Sequence, residues 1–135
     1  YWLYVYAREV GSSAPFEVAS AEVYYKIEVA TLTGVTLAVL PTTSPQPAGT
    51  PFTLTATKSG TAVDVEYRFI YKWYNTTTGK WVDGEIRGYE ANNNTCNWTP
   101  TVAGNYRLYA MARIVGSSAL FDRISAFKAY TITNP

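Results

Sequence analysis

The side chains best suited to chemistry in this sequence are the scattered carboxylates Asp64, Glu66, Asp83, Glu85, Glu90 and Asp122, in a chain with no histidine. Hydrolysis of a glycosidic bond by acid–base catalysis needs two carboxylates facing each other across a cleft, one desolvated enough to hold its proton. The spacing sets up no such pair. Glu66 falls on the solvent side of an alternating stretch, and Asp83 and Glu85 sit two apart near a predicted edge. The absence of histidine removes the commonest general base and metal ligand, with every triad built on it. Asp83, Glu85 and nearby carbonyls could form a weak Ca²⁺ site, but no loop has the alternating Asp/Asn spacing of a Ca²⁺ cage. A solvated loop is expected there, with no catalytic residue, no metal and no cofactor.

Cys96 is the single cysteine, which excludes an internal disulfide and a cysteine metal cluster. It reads as a small buried core residue, because no cationic neighbour or helix end is evident to turn it into a reactive thiolate. Asn75-Thr76-Thr77, Asn93-Asn94-Thr95 and Asn97-Trp98-Thr99 match the glycosylation acceptor pattern. Turns rich in Thr and Asn generate that pattern by accident, and Asn97 lies in a predicted strand. The aromatics Trp2, Tyr4, Tyr74, Trp81, Tyr89 and Tyr109 fall outside the predicted inner faces and are the candidate interface residues. Such rings can stack on sugars or form contacts between modules or chains. Partial burial within one sandwich is expected of each singly, and interfaces are favoured over a sugar platform for the group.

The elements that carry these residues are strands. Val35 to Leu40 alternates and is stopped by Pro41; the proline-rich residues 41–50 form a turn or an edge crossing. Phe52, Leu54 and Ala56 share one face of a half-buried strand. Val65, Tyr67, Phe69, Tyr71 and Trp73 then alternate over nine residues, the pattern of a central strand with one buried face. A hairpin loop over residues 75–80 leads into Trp81, and residues 83–94 suggest irregular or edge structure. Cys96 and Trp98 point inward from a short strand, and Tyr106, Leu108, Ala110 and Ala112 from a longer one. After a turn at Gly116-Ser117-Ser118, a last strand is predicted from Phe121 to Thr133. The expected core is Tyr67, Phe69, Tyr71, Trp73, Trp98, Tyr106 and Leu108. Short strands between turns imply an all-β, Ig-like antiparallel sandwich of about seven strands.

An internal repeat defines the organisation. Residues 1–29 align without a gap on residues 106–134 with 15 identities, Val10 to Ala14 repeating as Val115 to Ala119. The offset of 105 residues is the size of one sandwich module. Residues 1–29 are therefore expected to be the C-terminal hairpin, the last two strands, of a preceding module of the same type. Residues 30–34 form a short linker, and residues 35–135 a complete module. With neither an initiator Met nor a signal peptide, the chain reads as a mature or excised piece.

The stretch Ala103-Gly104-Asn105-Tyr106-Arg107-Leu108 resembles the corner before strand F of immunoglobulin-like domains. The resemblance implies that the Tyr106 hydroxyl bonds back to the backbone and that Trp73, or an aromatic just before it, is the core aromatic of strand C. Ser44 to Thr50, read with Asn97-Trp98-Thr99-Pro100, is similar to the bacterial Ig-like or fibronectin type III-like tandem repeat modules of large surface proteins. That resemblance implies a semi-rigid spacer or filament repeat, its partners being neighbouring copies of the same module. The hairpin would complete a preceding module in the same chain or, by strand complementation, in a neighbouring one. An adhesin module that binds polysaccharide or a surface protein through exposed aromatics is the alternative.

Composition agrees with an extracellular or cell-surface location, with Thr, Ser, Gly, Tyr and Asn common and Lys and Glu few. A net charge of +1 offers no electrostatic reason to bind nucleic acid or an anionic membrane. No apolar run approaches the ~20 residues needed to insert in a bilayer as a helix.

Overall fold

Alternating side chains with turn residues between them leave this sequence no helical face, and the computed structural model, which describes residues 1–135, contains only strands and turns. The first four strands are β1 (Trp2–Leu3), β2 (Tyr6–Ala7), β3 (Val18–Ala19) and β4 (Val23–Tyr24). They pair only among themselves, β1 with β4 and β2 with β3, as one long interrupted hairpin. Then follow β5 (Gly34–Leu40), β6 (Gln46–Pro47), β7 (Phe52–Ser59), β8 (Val65–Asn75) and β9 (Lys80–Ala91). The last are β10 (Thr95–Trp98), β11 (Gly104–Ile114), β12 (Arg123–Ile124) and β13 (Lys128–Thr133).

These nine strands make an Ig-like sandwich. One sheet has the order β10-β7-β5, the other β6-β13-β11-β8-β9, with β12 also on β11. All pairs are antiparallel except β6 on β13. The prolines of residues 41–50 explain that exception: they end β5 and carry the chain across to the opposite sheet, where Gln46 and Pro47 pair beside Ile132 and Thr133.

Alternation decides what is inside. Phe52, Leu54 and Ala56 of β7, Val65 and Phe69 of β8, and Leu108, Ala110 and Ala112 of β11 are fully buried. Val35, Leu37 and Val39 cover them from β5, and Tyr130 and Ile132 from β13. Each large side chain so buried stabilises the fold by about 1.5–3 kcal/mol before chain entropy is counted. One end of the core is aromatic, with Tyr71, Trp98 and Tyr106 in mutual ring contact and Phe52 between Trp98 and Tyr130.

Of the two readings of residues 83–94, the edge structure holds: β9 runs to Ala91 as an edge strand, with register shifts on both sides of Phe69, and only residues 92–94 lie outside a strand. Gly84 marks close packing rather than a turn, since a Cβ there would lie 2.1 Å from the Tyr71 ring. One expectation needs correction: the last strand, expected from Phe121 to Thr133, is not continuous. It breaks between β12 and β13, where Ser125 turns inward, donates its amide to Ala110 O and accepts the Ala110 amide on its hydroxyl at 3.0 Å. Inside a run of apolar neighbours, Ser125 gave no sign of this role.

The connector belongs to the sandwich. Leu32 is in the core, Thr33 N donates to Ser59 O, and Thr31 O accepts the Ala62 amide. Gly60 has φ of +107°, and a Cβ there would come within 2.4 Å of Thr31 O. Only glycine lets the connector pass so close.

Candidate functional site

The carboxylates that could have done chemistry are held by neighbouring donors. On the outer face of the larger sheet, Glu66 pairs with Arg113, Glu85 with Arg68 at 2.6 Å, and Asp83 with Lys72 at 3.3 Å. Glu90 lies 3.5 Å from Arg87. Asp122 accepts the Ile114 amide and the Ser117 hydroxyl, and Asp64 accepts the Asn92 side-chain amide. They are spread along strand faces and turns, not opposed across a cleft, and no group of three His, Cys, Asp or Glu side chains converges as a metal site would need. The exposed pair Lys72–Asp83 adds only about 0–1 kcal/mol.

Cys96 is half-buried against the core. Burial pushes its thiol above the ordinary range, while the Arg87 guanidinium pulls the other way and loses. That cation is the neighbour which sequence reading did not see. It arrives from β9, where Arg87 donates to Asn93 O and Thr95 O and lies over the Phe69 ring at 5.0 Å.

The residues expected in the core divide by position. Tyr67, Phe69, Tyr106 and Leu108 are buried; Tyr71, Trp73 and Trp98 are half-buried at the aromatic end. Tyr106 donates its hydroxyl to Val102 O at 2.8 Å, the backbone bond that its corner motif implied. Trp73 donates to Ala103 O and lies against Gly104, where a Cβ would sit 2.3 Å from the indole nitrogen.

The candidate interface aromatics occur in two places. Tyr74, Trp81, Tyr89 and Tyr109 are half-buried on the outer face of the larger sheet. Trp81 packs on Tyr74, and Tyr109 on Phe127. Arg107 is clamped between Trp81 and Phe127 at 4.2 and 4.6 Å, and Arg113 lies 4.0 Å from the Tyr89 ring. Cations thus cover ring faces that a sugar would need. Sequence reading missed Arg107 and Phe127 as members of this cluster. Alternation with Tyr109 places Arg107 on that face, whereas the strand break at Ser125 spoils the count that would place Phe127.

Trp2 and Tyr4 lie on the exposed hairpin of residues 1–29. Its geometry repeats that of residues 106–134 bond for bond. Trp2 and Leu3 pair with Tyr24 and Val23 as Arg107 and Leu108 do with Ala129 and Lys128; Tyr6 and Ala7 pair with Ala19 and Val18 as Met111 and Ala112 do with Ile124 and Arg123. Ser20 interrupts the hairpin as Ser125 does, accepting the Val5 amide at 2.9 Å. Glu17 accepts the Glu9 amide as Asp122 accepts that of Ile114. Arg8 donates to Ala14 O as Arg113 does to Ala119 O.

What differs is cover. The inner positions of residues 106–134 are Tyr106, Leu108, Ala110, Ala112, Tyr130 and Ile132, all buried. Their counterparts Tyr1, Leu3, Val5, Ala7, Tyr25 and Ile27 are identical except Val5, and all are exposed. The opposite face is less alike: Trp2, Tyr6, Glu22, Tyr24 and Lys26 stand where Arg107, Met111, Phe127, Ala129 and Thr131 stand in the sandwich. There Tyr6 stacks between Tyr4 and Phe16, and all three rings remain exposed.

Neither a protein-family model nor a curated protein matches the chain. Among solved structures it is similar to the CARDB domain of a Pyrococcus furiosus protein, determined in solution by NMR, at 13% identity. That match covers 75% of this chain and 95% of the domain, with a TM-score of 0.37.

Proposed function

We propose that the chain is a non-catalytic structural repeat of an extracellular bacterial surface protein or filament, and that residues 1–29 close another copy of the same sandwich. One observation carries this reading: a hairpin whose inner face matches the buried face of residues 106–134 at every position but Val5, in the same register, has nothing over it. A two-stranded ribbon is marginal in water without a packed face. The surface that fits is the one already seen to fit, that of β5, β7, β8 and β10 in a second copy. The mechanism is geometric: each copy supplies its own core, and a pinned connector sets the orientation of the next. Arg107 and Arg113 lie over ring faces of the sandwich, which weighs against a sugar platform there.

Because Tyr1 takes the place of Tyr106, joining residues 30–105, connector included, directly ahead of Tyr1 recreates one full copy before the existing one. In that longer chain, hydrogen exchange at the Val5 and Tyr25 amides should slow by ~100-fold or more relative to the 135-residue protein, as expected when local fraying gives way to cooperative opening. Exchange at the same rate in both chains would overturn the proposal.

A further inference from the structure

We infer that the cleft where the connector enters the sandwich is the seat of the copy closed by residues 1–29, so that consecutive copies meet pole to pole and move as one body. This rests on the reading of residues 1–29 given above. The first argument is reach. Ile27 is the last inner position of the hairpin and Leu32 is already in the core of the next sandwich. Five residues extend at most about 17 Å, and from Thr31 onward they are bonded to the β7–β8 turn through Thr61 and Ala62. Two sandwiches tied that closely cannot avoid touching.

The second argument is the surface at that pole. An open cleft of about 750 Å³ lies between the connector at Ala30–Leu32 and the turn after β11, with Ile114, Val115 and Phe121 on its walls. Val63 stands beside it 80% exposed, and Val115 is 45% exposed. At the opposite pole, where the next connector would leave after Thr133, the exposed apolar side chains include Leu40, Val102 and Val82. The occupant is therefore the Leu40–Val102 end of another copy.

The third argument comes from the repeated turn. In the block shared by Val10–Ala14 and Val115–Ala119, two of the five identities have an internal reason. Gly11 and Gly116 have φ of +89° and +88°, and Ser12 and Ser117 accept the Ala14 and Ala119 amides. Val10 and Val115 have none: Val10 is fully exposed and its counterpart lines the cleft. A contact made by this turn in each copy accounts for the valine.

The test uses the same longer chain, residues 30–105 joined ahead of Tyr1. Residual dipolar couplings from both sandwiches should fit a single alignment frame, and Val63→Asp with Val115→Asp should split them into two while each sandwich keeps its melting temperature. Two frames in the unsubstituted chain, with residues 1–29 protected from exchange, would overturn this inference and leave the functional reading standing. Unprotected residues 1–29 would overturn both. A single frame that survives the double substitution would remove the valines from the contact and overturn the inference as drawn.

Discussion

Residues 1–29 and 106–134 are two nearly equivalent hairpins in opposite circumstances. They share register, turn, serine interruption and carboxylate cap, yet Leu108 is 0% and Leu3 54% exposed. Local hydrogen bonding is therefore sufficient to define the shape of this ribbon. The opposite sheet adds the burial that makes such a shape stable.

That contrast can be broken by paired substitutions. Leu108→Ala removes a fully buried side chain and should cost about 2–5 kcal/mol in urea unfolding. Leu3→Ala, the same change on the uncovered hairpin, should stay within about 0.5 kcal/mol. Equal losses would mean that residues 1–29 are packed in solution. Ser125→Ala strands the buried Ala110 amide and should cost about 1–3 kcal/mol by the same measurement, whereas water can replace the hydroxyl of Ser20.

A smaller effect is expected for Tyr106→Phe, which deletes the bond to Val102 O at about 0.5–1.5 kcal/mol. Tyr1→Phe should leave the melting temperature unchanged, since no such bond exists at Tyr1. The smallest effect is a titration. Hydrogen bonds from Ser12 and from the Glu9 amide hold the Glu17 carboxyl below its ordinary value. The order they confer on the turn is present above that ordinary value and lost as pH falls through the lowered one. The Glu9 amide resonance should move upfield across that acidic window, and a resonance indifferent to pH would show that the cap does not form in solution.

Much of the fold was legible because period-2 alternation reports directly on burial. The inner faces of β7, β8 and β11 and the Tyr106 corner need only local pattern and one motif. The candidate surface was less legible. Arg107 meets Trp81 of β9 and Phe127 in the break between β12 and β13, a break made by a serine whose role depends on the Ala110 amide across the ladder. The close packing at Gly84 went unread because it depends on the exact register of β9 on β8, which places the Tyr71 ring over it. Cys96 looked free of cations because Arg87 reaches it only across the open edge between the two sheets.

By itself the sequence determined that this chain is all-β, that it contains one hairpin twice, and which side of each hairpin is apolar. Those properties follow from residue type and local spacing. Tertiary structure alone decided which of the two hairpins is buried, which cation covers which ring, and that the connector is part of the sandwich. Burial needs a complementary surface, and that surface is built from strands far away in the chain.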